Sequence, residues 1–493
     1  MYDNQVPTLF EIAGGADECY RLPFENKLKS IDSMSGLEGV SRREALCINA
    51  VPEVELTRHF AALAHRSYGV DDGIYPLGSC TMKYNPKIND WAVGLEGFAA
   101  LHPLVPDYAA QGALELMYGL QEQLQEIAGM DRFTLQPAAG AHGELTGILT
   151  IKAWHESRGD QRRCKVLVPD SAHGTNPATA NMAGYSVVEI ASNKRGMVDI
   201  ACLQEQVGDD TAAFMLTNPN TLGLFDENIE EIARIVHSAG GLLYYDGANL
   251  NAIAGQARPG DMGFDAMHIN LHKTFATPHG GGGPGAGPVG VKSFLQDFLP
   301  ATFVKKKGDR FQLAASPVTS SGMMAFHGNF GVLVRAYAYI KALGADGIRE
   351  MSANAVLNAR YLQHLLETDF VVPYTATCLH EFVISMAKQA KNGVQALDIA
   401  KGLLDAGMHP PTIYFPLIVP EAMMLEPTET ESKARMDALA EAMIRLAKQG
   451  EQFPEELHAA PSTTPVRRVD ETTAARKPIL SYDLACDEQG GSR

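Results

Sequence analysis

The sequence predicts an α/β fold in which a mostly parallel sheet is covered by helices on both faces and is followed by a small α+β domain. Short apolar runs alternate with helical patterns through the middle of the chain. This alternation is typical of parallel strands that are buried on both sides. Polar side chains follow the ends of several apolar runs, which is where open α/β sheets bind their ligands.

The size and charge of the chain limit its architecture and its partners. With 493 residues, it exceeds the size at which a single core stops growing, so we expect two domains with additional arms. The formal net charge of −17 argues against nucleic acid or an anionic membrane as the main partner. No apolar run approaches the roughly 18 residues of a membrane-spanning helix. The first residues lack a basic and apolar signal pattern, so we expect a cytoplasmic protein.

Seven cysteines are scattered along the chain, and no two of them form a CxxC pair. This pattern fits a reducing compartment and predicts neither a disulfide framework nor a metal cluster. The histidines show no ligand spacing for a metal, and His380 begins HEFV rather than the zinc-binding HExxH pattern. We therefore expect no metal site.

We expect four segments along the chain. Residues 1–87 lack continuous periodicity and are interpreted as an amino-terminal arm, and residues 88–335 as the large α/β domain. Residues 336–450 are interpreted as the small α+β domain. Residues 451–493 are rich in proline and threonine and then in charge, which indicates a carboxyl-terminal tail on the surface.

The elements of the large domain follow from apolar spacing. Leu116, Leu120 and Leu124 recur at helical spacing and predict a helix over 114–130; after the loop LQPAAGAHGE, a second helix begins near Gly143. Strands are then predicted at 164–170, 186–190, 213–219, 241–249, 266–271 and 287–292, with helices at 176–184, 200–207 and 229–238. Beyond a linking helix over 332–343, the small domain is predicted to contain helices at 353–367, 396–406 and 432–449 and strands at 381–387 and 412–416.

Two of the predicted strands end in an acid and in a lysine. Asp246 follows the run Leu242–Tyr245, and His272 and Lys273 follow the run Ala266–Leu271. A lysine in this position is ordinary where an amine carries a cofactor as a Schiff base. The nearby acid would keep a pyridine nitrogen protonated, because opposite charge favours the cationic form. Taken alone, Lys273 could be a surface lysine and Asp246 a turn cap; as a pair they favour the cofactor.

Pyridoxal phosphate also needs a cup for its phosphate and a flat group against its ring. Ala139, Gly140 and Ala141 are small residues that precede a predicted helix, whose N-terminus favours an anion. His173 follows a strand and is flanked by small residues, so its ring is a candidate cover. A plain loop histidine is the alternative interpretation of His173.

Asn218 and Thr221 follow another strand and are candidates for a hydrogen bond to the phenolic oxygen of the same cofactor. An Asn-Pro turn is the alternative interpretation of this segment. The run Gly280–Gly283 raises the possibility of a dinucleotide site. That fingerprint requires a strand directly before the glycines and a helix directly after them, and neither is predicted here.

Several segments resemble the P-protein family of the glycine cleavage system. They are LQPAAGAHGE, PDSAHGTNPA, LTNPNTLG, YYDGANLNA, NLHKTFATPHGGGGPG and the late TPVRRVDE with ARKP. The resemblance covers about residues 35–480 and is most specific in NLHKTFATPHGGGGPG. The length of the chain suits the lysine-bearing half of the family's split form.

This resemblance implies the type I pyridoxal-phosphate fold of aspartate aminotransferase. It also implies decarboxylation of glycine and transfer of the aminomethyl group to the lipoyl arm of the H-protein, in an α2β2 heterotetramer with subunit 1. Lys273 would bind the cofactor covalently, Asp246 would face the pyridine nitrogen and His173 would stack on the ring. Together with the residue patterns, it predicts the following cofactor site: Ala139, Gly140, Ala141, His173, Asn218, Thr221, Asp246, His272 and Lys273.

Other enzymes on the same fold remain alternatives at this point. An aminotransferase or an amino-acid decarboxylase would also need the lysine and the acid, and a cysteine desulfurase would need a reactive cysteine on a loop. Cys80, within GSCTMKYNPK (78–87), comes nearest to that description. We interpret this segment as part of the arm near the active site and Cys80 as a hypothetical redox-sensitive position. A scaffold subunit without cofactor is the non-enzymatic alternative.

Overall fold

The computed structural model describes residues 6–9, 11–12, 51–279, 285–300, 302–319 and 321–478. The chain falls into two compact units, one formed by Val70–Ser462 and the other drawn from Met1–Gly69 and Thr463–Arg493. The glycine run Gly280–Gly283, most of the predicted arm and the end of the predicted tail lie outside the described residues. The boundaries placed at residues 87, 335 and 450 stay a proposal.

The bounds of the described elements follow in chain order. The helices are α1 (Glu53–Ala64), α2 (Lys87–Val93), α3 (Glu96–Ala99), α4 (Gln111–Ala128), α5 (Gly140–Ser157), α6 (Thr175–Met182), α7 (Ile200–Gln206), α8 (Ile229–Ser238), α9 (Leu271–Thr274), α10 (Phe330–Leu366), α11 (Ala387–Ala390), α12 (Ala396–Asp405), α13 (Lys433–Gln452), α14 (Pro454–Ala459) and α15 (Glu471–Arg476). The strands are β1 (Arg132–Thr134), β2 (Lys165–Pro169), β3 (Ser186–Ile190), β4 (Thr211–Leu216), β5 (Leu242–Gly247), β6 (Ala266–Ile269), β7 (Val289–Val291), β8 (Phe303–Lys307), β9 (Arg310–Ala314), β10 (Phe382–Ser385), β11 (Thr412–Ile413) and β12 (Ala422–Leu425).

A seven-stranded sheet forms the centre of the larger unit, with the strand order β1-β7-β6-β5-β4-β2-β3. Strands β2 to β6 pair in parallel, whereas β7 is antiparallel to both β6 and β1. Every residue of β4 and β5 is buried, which explains why these strands appear in the sequence as continuous apolar runs. The prediction of a mostly parallel α/β sheet is confirmed.

Helix α5 lies directly on this sheet because its inner face carries glycines. A Cβ atom added at Gly147 would lie 2.3 Å from Cε2 of Tyr244, in β5, and one added at Gly143 would lie 2.8 Å from Cβ of His268, in β6. Larger side chains at these two positions would push the helix away from the close-packed sheet. The close approach brings the first turn of α5 to the carboxyl ends of β5 and β6.

The smaller sheet is antiparallel, with the order β10-β12-β11. Helices α12, α13 and α14 and the second half of α10 supply the apolar side chains that bury it. A segment from far earlier in the chain also joins this sheet. Leu77 forms a bridge with Leu425, and the N–H of Gly78 donates to the carbonyl of Met424 at 3.3 Å. The loop after Leu77 is therefore anchored to the small sheet.

Some elements differ from the sequence predictions. Helix α5 begins at Gly140 rather than near Gly143, and Lys273 lies in the short helix α9 rather than at the end of a strand. The two helices predicted at 332–343 and 353–367 correspond to the two parts of α10, which are separated by the non-helical backbone of Gly344, whose φ is 65°; the second part begins earlier than predicted. The short strands β1, β8, β9 and β12 were not predicted, because runs of three to five residues in charged or turn-rich surroundings carry little periodicity.

None of the helices in the described part of the chain has both the length and the apolar character needed to cross a bilayer.

Candidate active site

A cavity of about 180 Å³ opens at the carboxyl ends of β5 and β6, beside the first turn of α5. Its lining residues are Ser79, Gly140, Ala141, Glu144, His173, Thr175, Thr217, Thr221, Asp246, Ala248, Asn249, His268, Asn270, His272 and Lys273. Seven of the nine predicted site residues are among them. Ala139 and Asn218 are not.

Asp246, the last acid of β5, is held by a set of hydrogen bonds. Asn176 Nδ2 donates to its Oδ2 at 2.9 Å, the N–H of Ala248 donates to its Oδ1 at 3.0 Å, and His268 Nε2 lies 3.4 Å from Oδ1. Burial works against ionisation, but His268, these hydrogen bonds and Lys273 outweigh it and keep the pKa of Asp246 below its usual value. Asp246 is therefore a buried carboxylate at the floor of the cavity.

His268 contacts Asp246 as a neutral ring. Burial is the main cause of the lowered pKa of His268, and the hydroxyl of Tyr244 lies 2.8 Å from its Nδ1. Burial also raises the pKa of Tyr244 well above its usual value, so this hydroxyl keeps its proton and donates it to Nδ1. The proton of the imidazole then sits on Nε2 and points towards the carboxylate of Asp246.

Glu144, in the first turns of α5, is a second buried acid in the cavity that the sequence interpretation did not select. It accepts hydrogen bonds from Thr175 Oγ1 at 2.8 Å and from Asn176 Nδ2 at 2.9 Å. Burial, followed by the charge of Asp246, raises the pKa of Glu144 to about 7. Asn176 thus donates to two carboxylates that would otherwise repel each other.

Lys273 extends into the cavity from α9. Its Nζ donates a hydrogen bond to the carbonyl oxygen of Ser79 at 2.7 Å, and its charge acts on Asp246. Strand β6 ends at Ile269, so the one-turn helix turns the lysine side chain back over the sheet edge. The predicted pairing of a lysine and an acid in one site is present in this geometry.

The first turn of α5 has the features of an anion-binding surface. Gly140 and Ala141 line the cavity, and Ala139 is the N-cap residue whose carbonyl accepts from Gly143. The amides of a first helical turn have no acceptor within the helix, and the helix dipole favours negative charge there. A Cβ atom at Gly140 would lie 2.4 Å from Asn270 Nδ2, so glycine is needed for this close approach.

Two predicted histidines border the cavity in different environments. The ring of His173 lies at its exposed side, where Nδ1 is 3.0 Å from Thr175 Oγ1 and the ring meets Phe415 edge-on at 5.8 Å. His272 is enclosed and lies 5.1 Å from the ring of His279. Burial, then the neighbouring His279 and Lys273, lowers the pKa of His272 to about 3, so this ring is neutral.

Thr221 and Asn218, which were predicted together, separate in the structure. Thr221 lines the cavity and donates its hydroxyl to the carbonyl of Ser171. Asn218 lies behind the lining, where its Oδ1 accepts from the N–H of Asp226 at 2.8 Å and its carbonyl accepts from Tyr245 at 2.8 Å. Its contacts thus support the loop that follows β4.

Three buried polar atoms at this site have no hydrogen-bond partner among the described residues: Asn270 Oδ1, His272 Nδ1 and Asn176 Oδ1. Two of these residues line the cavity directly. Buried polar groups normally have partners, so unpartnered atoms facing a cavity indicate space for a polar ligand. The carboxylate of Asp246, the amine of Lys273 and the N-terminus of α5 therefore border one cavity, together with polar atoms that have no partner among the described residues.

Comparisons with known proteins place the chain among related families. Residues 351–465 match the family model of the glycine dehydrogenase C-terminal domain, and residues 150–370 match that of the class-V aminotransferases. A protein of Caldanaerobacter subterraneus named probable glycine dehydrogenase (decarboxylating) subunit 2 is 54% identical over 476 residues, which is 96% of this chain and 98% of that protein. A protein of the same name from Bacillus velezensis is 56% identical and is covered over its full length.

The chain belongs to the glycine dehydrogenase (decarboxylating) subunit 2 family. The family resemblance seen in the sequence is thereby confirmed, as is the prediction of an enzyme.

The solved structures that resemble the chain support the fold class. An inhibitor-bound glycine decarboxylase (P-protein) of the glycine cleavage system superimposes with a TM-score of 0.70 at 20% identity, covering 84% of this chain and 93% of that one. The Escherichia coli cysteine desulfurase CsdA gives 0.59 at 16% identity, over 77% and 95%. With the class-V aminotransferase match, these likenesses confirm the predicted type I fold, which is the fold of pyridoxal-phosphate-dependent enzymes.

Proposed function

We propose that this member of the family is the lysine-bearing subunit of a glycine dehydrogenase that uses pyridoxal 5′-phosphate. Its substrates would be glycine and the lipoyl arm of the H-protein, and subunit 1 would complete an α2β2 heterotetramer. One observation carries the proposal: Lys273 and Asp246 border a single cavity whose opposite side is the first turn of α5. The predicted cytoplasmic location is part of the same proposal.

The residues present fit this cofactor. The amides at Gly140 and Ala141 suit a phosphate group, and the unpartnered atoms of Asn270 and His272 suit polar ring substituents. His173 offers a flat ring at the exposed side of the cavity. When bound, pyridoxal phosphate supplies an electron-withdrawing pyridinium ring that accepts the electrons of the bond that breaks.

Asp246 is the residue that would keep the pyridine nitrogen protonated. Its lowered pKa means that it is ionised at neutral pH, and its carboxylate is oriented by Asn176 and Ala248. An acid that is fixed in this way does not have to reorganise during the reaction, which is the condition for effective electrostatic stabilisation. We assign Asn176 and Glu144 to supporting this orientation.

Lys273 is the amine that would attach the cofactor and later be displaced by the amino group of glycine. In its unattached state it is held by the Ser79 carbonyl at 2.7 Å. His272, a neighbour with a pKa near 3, is neutral and adds no positive charge near this amine. The amine therefore has one defined acceptor while it is not bonded to the cofactor.

The overall reaction balances with the disulfide of the lipoyl arm as oxidant. The carboxylate of glycine leaves as carbon dioxide when its bond to Cα breaks, and that electron pair forms the bond from Cα to one sulfur. The S–S bond breaks at the same time, and the other sulfur leaves as a thiolate that takes up a proton. Each glycine thus reduces one disulfide.

Partnership with subunit 1 is supported by the relatives, which carry the name subunit 2. Among the proposed site residues, Ala139 and Asn218 take the supporting positions described above, and Thr221 a lining position.

The test of this function is the exchange of carbon between glycine and bicarbonate by the full chain together with subunit 1 and lipoylated H-protein. We expect exchange that depends on pyridoxal phosphate and is abolished in Lys273→Ala. Absence of exchange in the complete mixture, combined with transamination of another amino acid, would instead assign the site to an aminotransferase. An exposed lysine, Lys388, provides the control substitution Lys388→Ala.

A further inference from the structure

The segment Gly78–Lys83, which we call the strap, passes from the small sheet to the active-site lysine. At its start, the carbonyl of Gly78 accepts from Thr412 Oγ1 at 2.8 Å. At its end, Lys83 Nζ forms a buried ion pair with Glu429 at 2.7 Å and donates to Asn251 Oδ1 at 2.8 Å. Between these two anchors, the carbonyl of Ser79 receives Lys273.

Two residues of the strap have a backbone conformation that residues other than glycine rarely adopt. Ser79 has a φ of 69° and Thr81 a φ of 45°. Neither residue is a glycine, so the conformation persists only where the surroundings impose it, and such residues concentrate at functional sites. The surroundings that impose it here are two buried glutamates.

Glu381 and Glu426 bind the strap on either side of Cys80. The N–H of Ser79 donates to Glu381 Oε2 at 2.7 Å. The N–H and the hydroxyl of Thr81 donate to Glu426 Oε2 and Oε1 at 2.9 and 2.6 Å. The side chain of Glu381 also accepts from Asn249, a cavity residue, at 3.1 Å. Ser79 and Thr81 are thus each held by a different glutamate.

Both glutamates occupy matching places in the small sheet. Glu381 directly precedes β10 and Glu426 directly follows β12, and these strands are paired with Phe382 opposite Leu425. The two side chains therefore emerge together from one edge of the sheet, and both are fully buried. Their position ties the strap conformation to the placement of the small sheet.

We propose that Glu381 and Glu426 are positioning residues that hold the strap so that the Ser79 carbonyl receives the amine of Lys273. This inference rests on the proposed function, because it assigns the strap a role in delivering that amine to the cofactor. The amine then lies in one place whenever it is not bonded to the cofactor, ready for bond formation.

A bound cation is the competing interpretation of this cluster. His380 Nε2 lies 3.9 Å from an oxygen of each glutamate, and neither nitrogen of its buried ring has a partner among the described residues. However, all four carboxylate oxygens of Glu381 and Glu426 already accept hydrogen bonds from N–H or O–H groups. Those donors would point their hydrogens at an incoming cation, which favours the strap as the partner of the glutamates.

The chemical form of Glu381 suggests the matched variant. Burial, and then the charge of Glu426, raises the pKa of Glu381 well above its usual value and so favours its protonated form. Glutamine has the shape of a protonated glutamate and keeps one acceptor oxygen for the N–H of Ser79. Alanine removes that acceptor and leaves a buried N–H unsatisfied.

The step to be measured is the attachment of the cofactor to the full-length chain from which it has been removed. The lone pair of Lys273 Nζ attacks the aldehyde carbon, a C=N bond replaces the C=O bond, and the oxygen leaves as water with the two amine protons. Stopped-flow absorbance at saturating pyridoxal phosphate gives the rate of this step. The concentration dependence gives the affinity of the preceding non-covalent step.

For Glu381→Ala we expect the covalent rate to fall about tenfold or more, because a small misplacement of a reacting group costs this much or more. The non-covalent affinity should stay near that of the wild type. Glu381→Gln should restore most of the rate, and Glu441→Ala, an exposed glutamate of α13, should leave it unchanged. Thr81→Val removes only the hydroxyl bond to Glu426 and serves as a second variant if Glu381→Ala does not fold.

Two results would overturn the positioning role. One is a covalent rate equal to that of the wild type in Thr81→Val and, if it folds, in Glu381→Ala. The other is one equivalent of tightly bound zinc in the purified protein that is lost in His380→Ala, which would assign the cluster to a metal. If the wild-type chain itself formed no covalent bond with pyridoxal phosphate, the proposed function would fail instead, so the two failures are distinguishable.

Discussion

Glu144 and Asp246 accept hydrogen bonds from the same amide nitrogen, Asn176 Nδ2, at 2.9 Å in each case. The two carboxylates come from different elements, α5 and β5, and both are buried. Their environments push their pKa values apart, with Asp246 lowered and Glu144 raised to about 7. Separation of this kind is common where one acid must stay ionised for the chemistry.

The raised pKa of Glu144 predicts a pH dependence of stability. The folded chain keeps a proton on Glu144 up to about pH 7, whereas the unfolded chain releases it near its ordinary value of 4.5. The contribution of Glu144 to the free energy of unfolding therefore falls as the pH rises through this window and levels off above it. Glu144→Gln should remove a decline in the free energy of unfolding on the order of 2–3 kcal/mol.

Urea unfolding of the cofactor-free chain at about pH 4.5 and about pH 7.5 measures this change. Glu156→Gln, at an exposed position of the same helix, is the control and should keep the wild-type decline. An unchanged decline in Glu144→Gln would contradict the role assigned to this residue.

Asp246→Asn removes the charge that keeps the pyridine nitrogen protonated. The amide oxygen can still accept from the N–H of Ala248, and Asn176 keeps Glu144 as an acceptor, so we expect the chain to fold and to bind the cofactor. The kcat for glycine should fall by on the order of 10²-fold or more, because the charge acts on the transition state. Steady-state kinetics with H-protein measure it, with the exposed Asp261→Asn as control. An increase in KM with an unchanged kcat would argue against this role.

The first turn of α5 predicts a phosphate-specific effect of Gly140→Ala. The added Cβ would lie 2.4 Å from Asn270 Nδ2 and would displace the turn. We expect the dissociation constant of pyridoxal phosphate to rise about tenfold, as for the loss of one charge-assisted hydrogen bond. Pyridoxal, which lacks the phosphate, should be affected much less.

Gly112→Ala is the matched control for this substitution, because a Cβ at Gly112 of α4 meets no atom within 4 Å. It should bind pyridoxal phosphate as the wild type does. Equal weakening of pyridoxal and pyridoxal phosphate by Gly140→Ala would show that the turn does not hold the phosphate.

The buried ion pair at the end of the strap predicts a large stability effect. Lys83→Met leaves the buried Glu429 without its cation, and breaking such a pair costs about 3–5 kcal/mol. Lys87→Met breaks the exposed pair with Asp71 and should change the free energy of unfolding far less, because solvent screens an exposed ion pair. Denaturant unfolding compares the two, and Lys83→Met with Glu429→Gln should recover part of the loss. Equal effects of the two lysine substitutions would contradict the burial-based prediction.

The sequence predicted those parts of the site that belong to regular elements. Asp246 and Lys273 follow continuous apolar runs, and the ends of parallel strands meet at one edge, so their proximity could be expected before the structure was seen. The small residues Ala139–Ala141 predicted a helix start beside the cavity, and α5 does begin there, at Gly140 rather than near Gly143.

The residues that sequence reasoning missed act through tertiary contacts. Glu144 stands within LQPAAGAHGE and Asn176 within PDSAHGTNPA, so both were in recognised segments. What selects them is their burial beside Asp246, which no periodicity reveals. Ser79 contributes a backbone carbonyl, and because every residue has one, the residue type does not reveal this role. The two glutamates that bind the strap, Glu381 and Glu426, lie about 300 or more positions later in the sequence.

We propose Lys273 as the residue to which the cofactor is attached. Reduction of the cofactor-loaded protein with borohydride, followed by peptide mass spectrometry, tests it most directly because reduction makes the bond permanent. We predict that the phosphopyridoxyl mass will be found on the peptide that contains Lys273 and will be absent from Lys273→Ala. The same mass on a different lysine, or on none, would show that Lys273 is not the attachment residue.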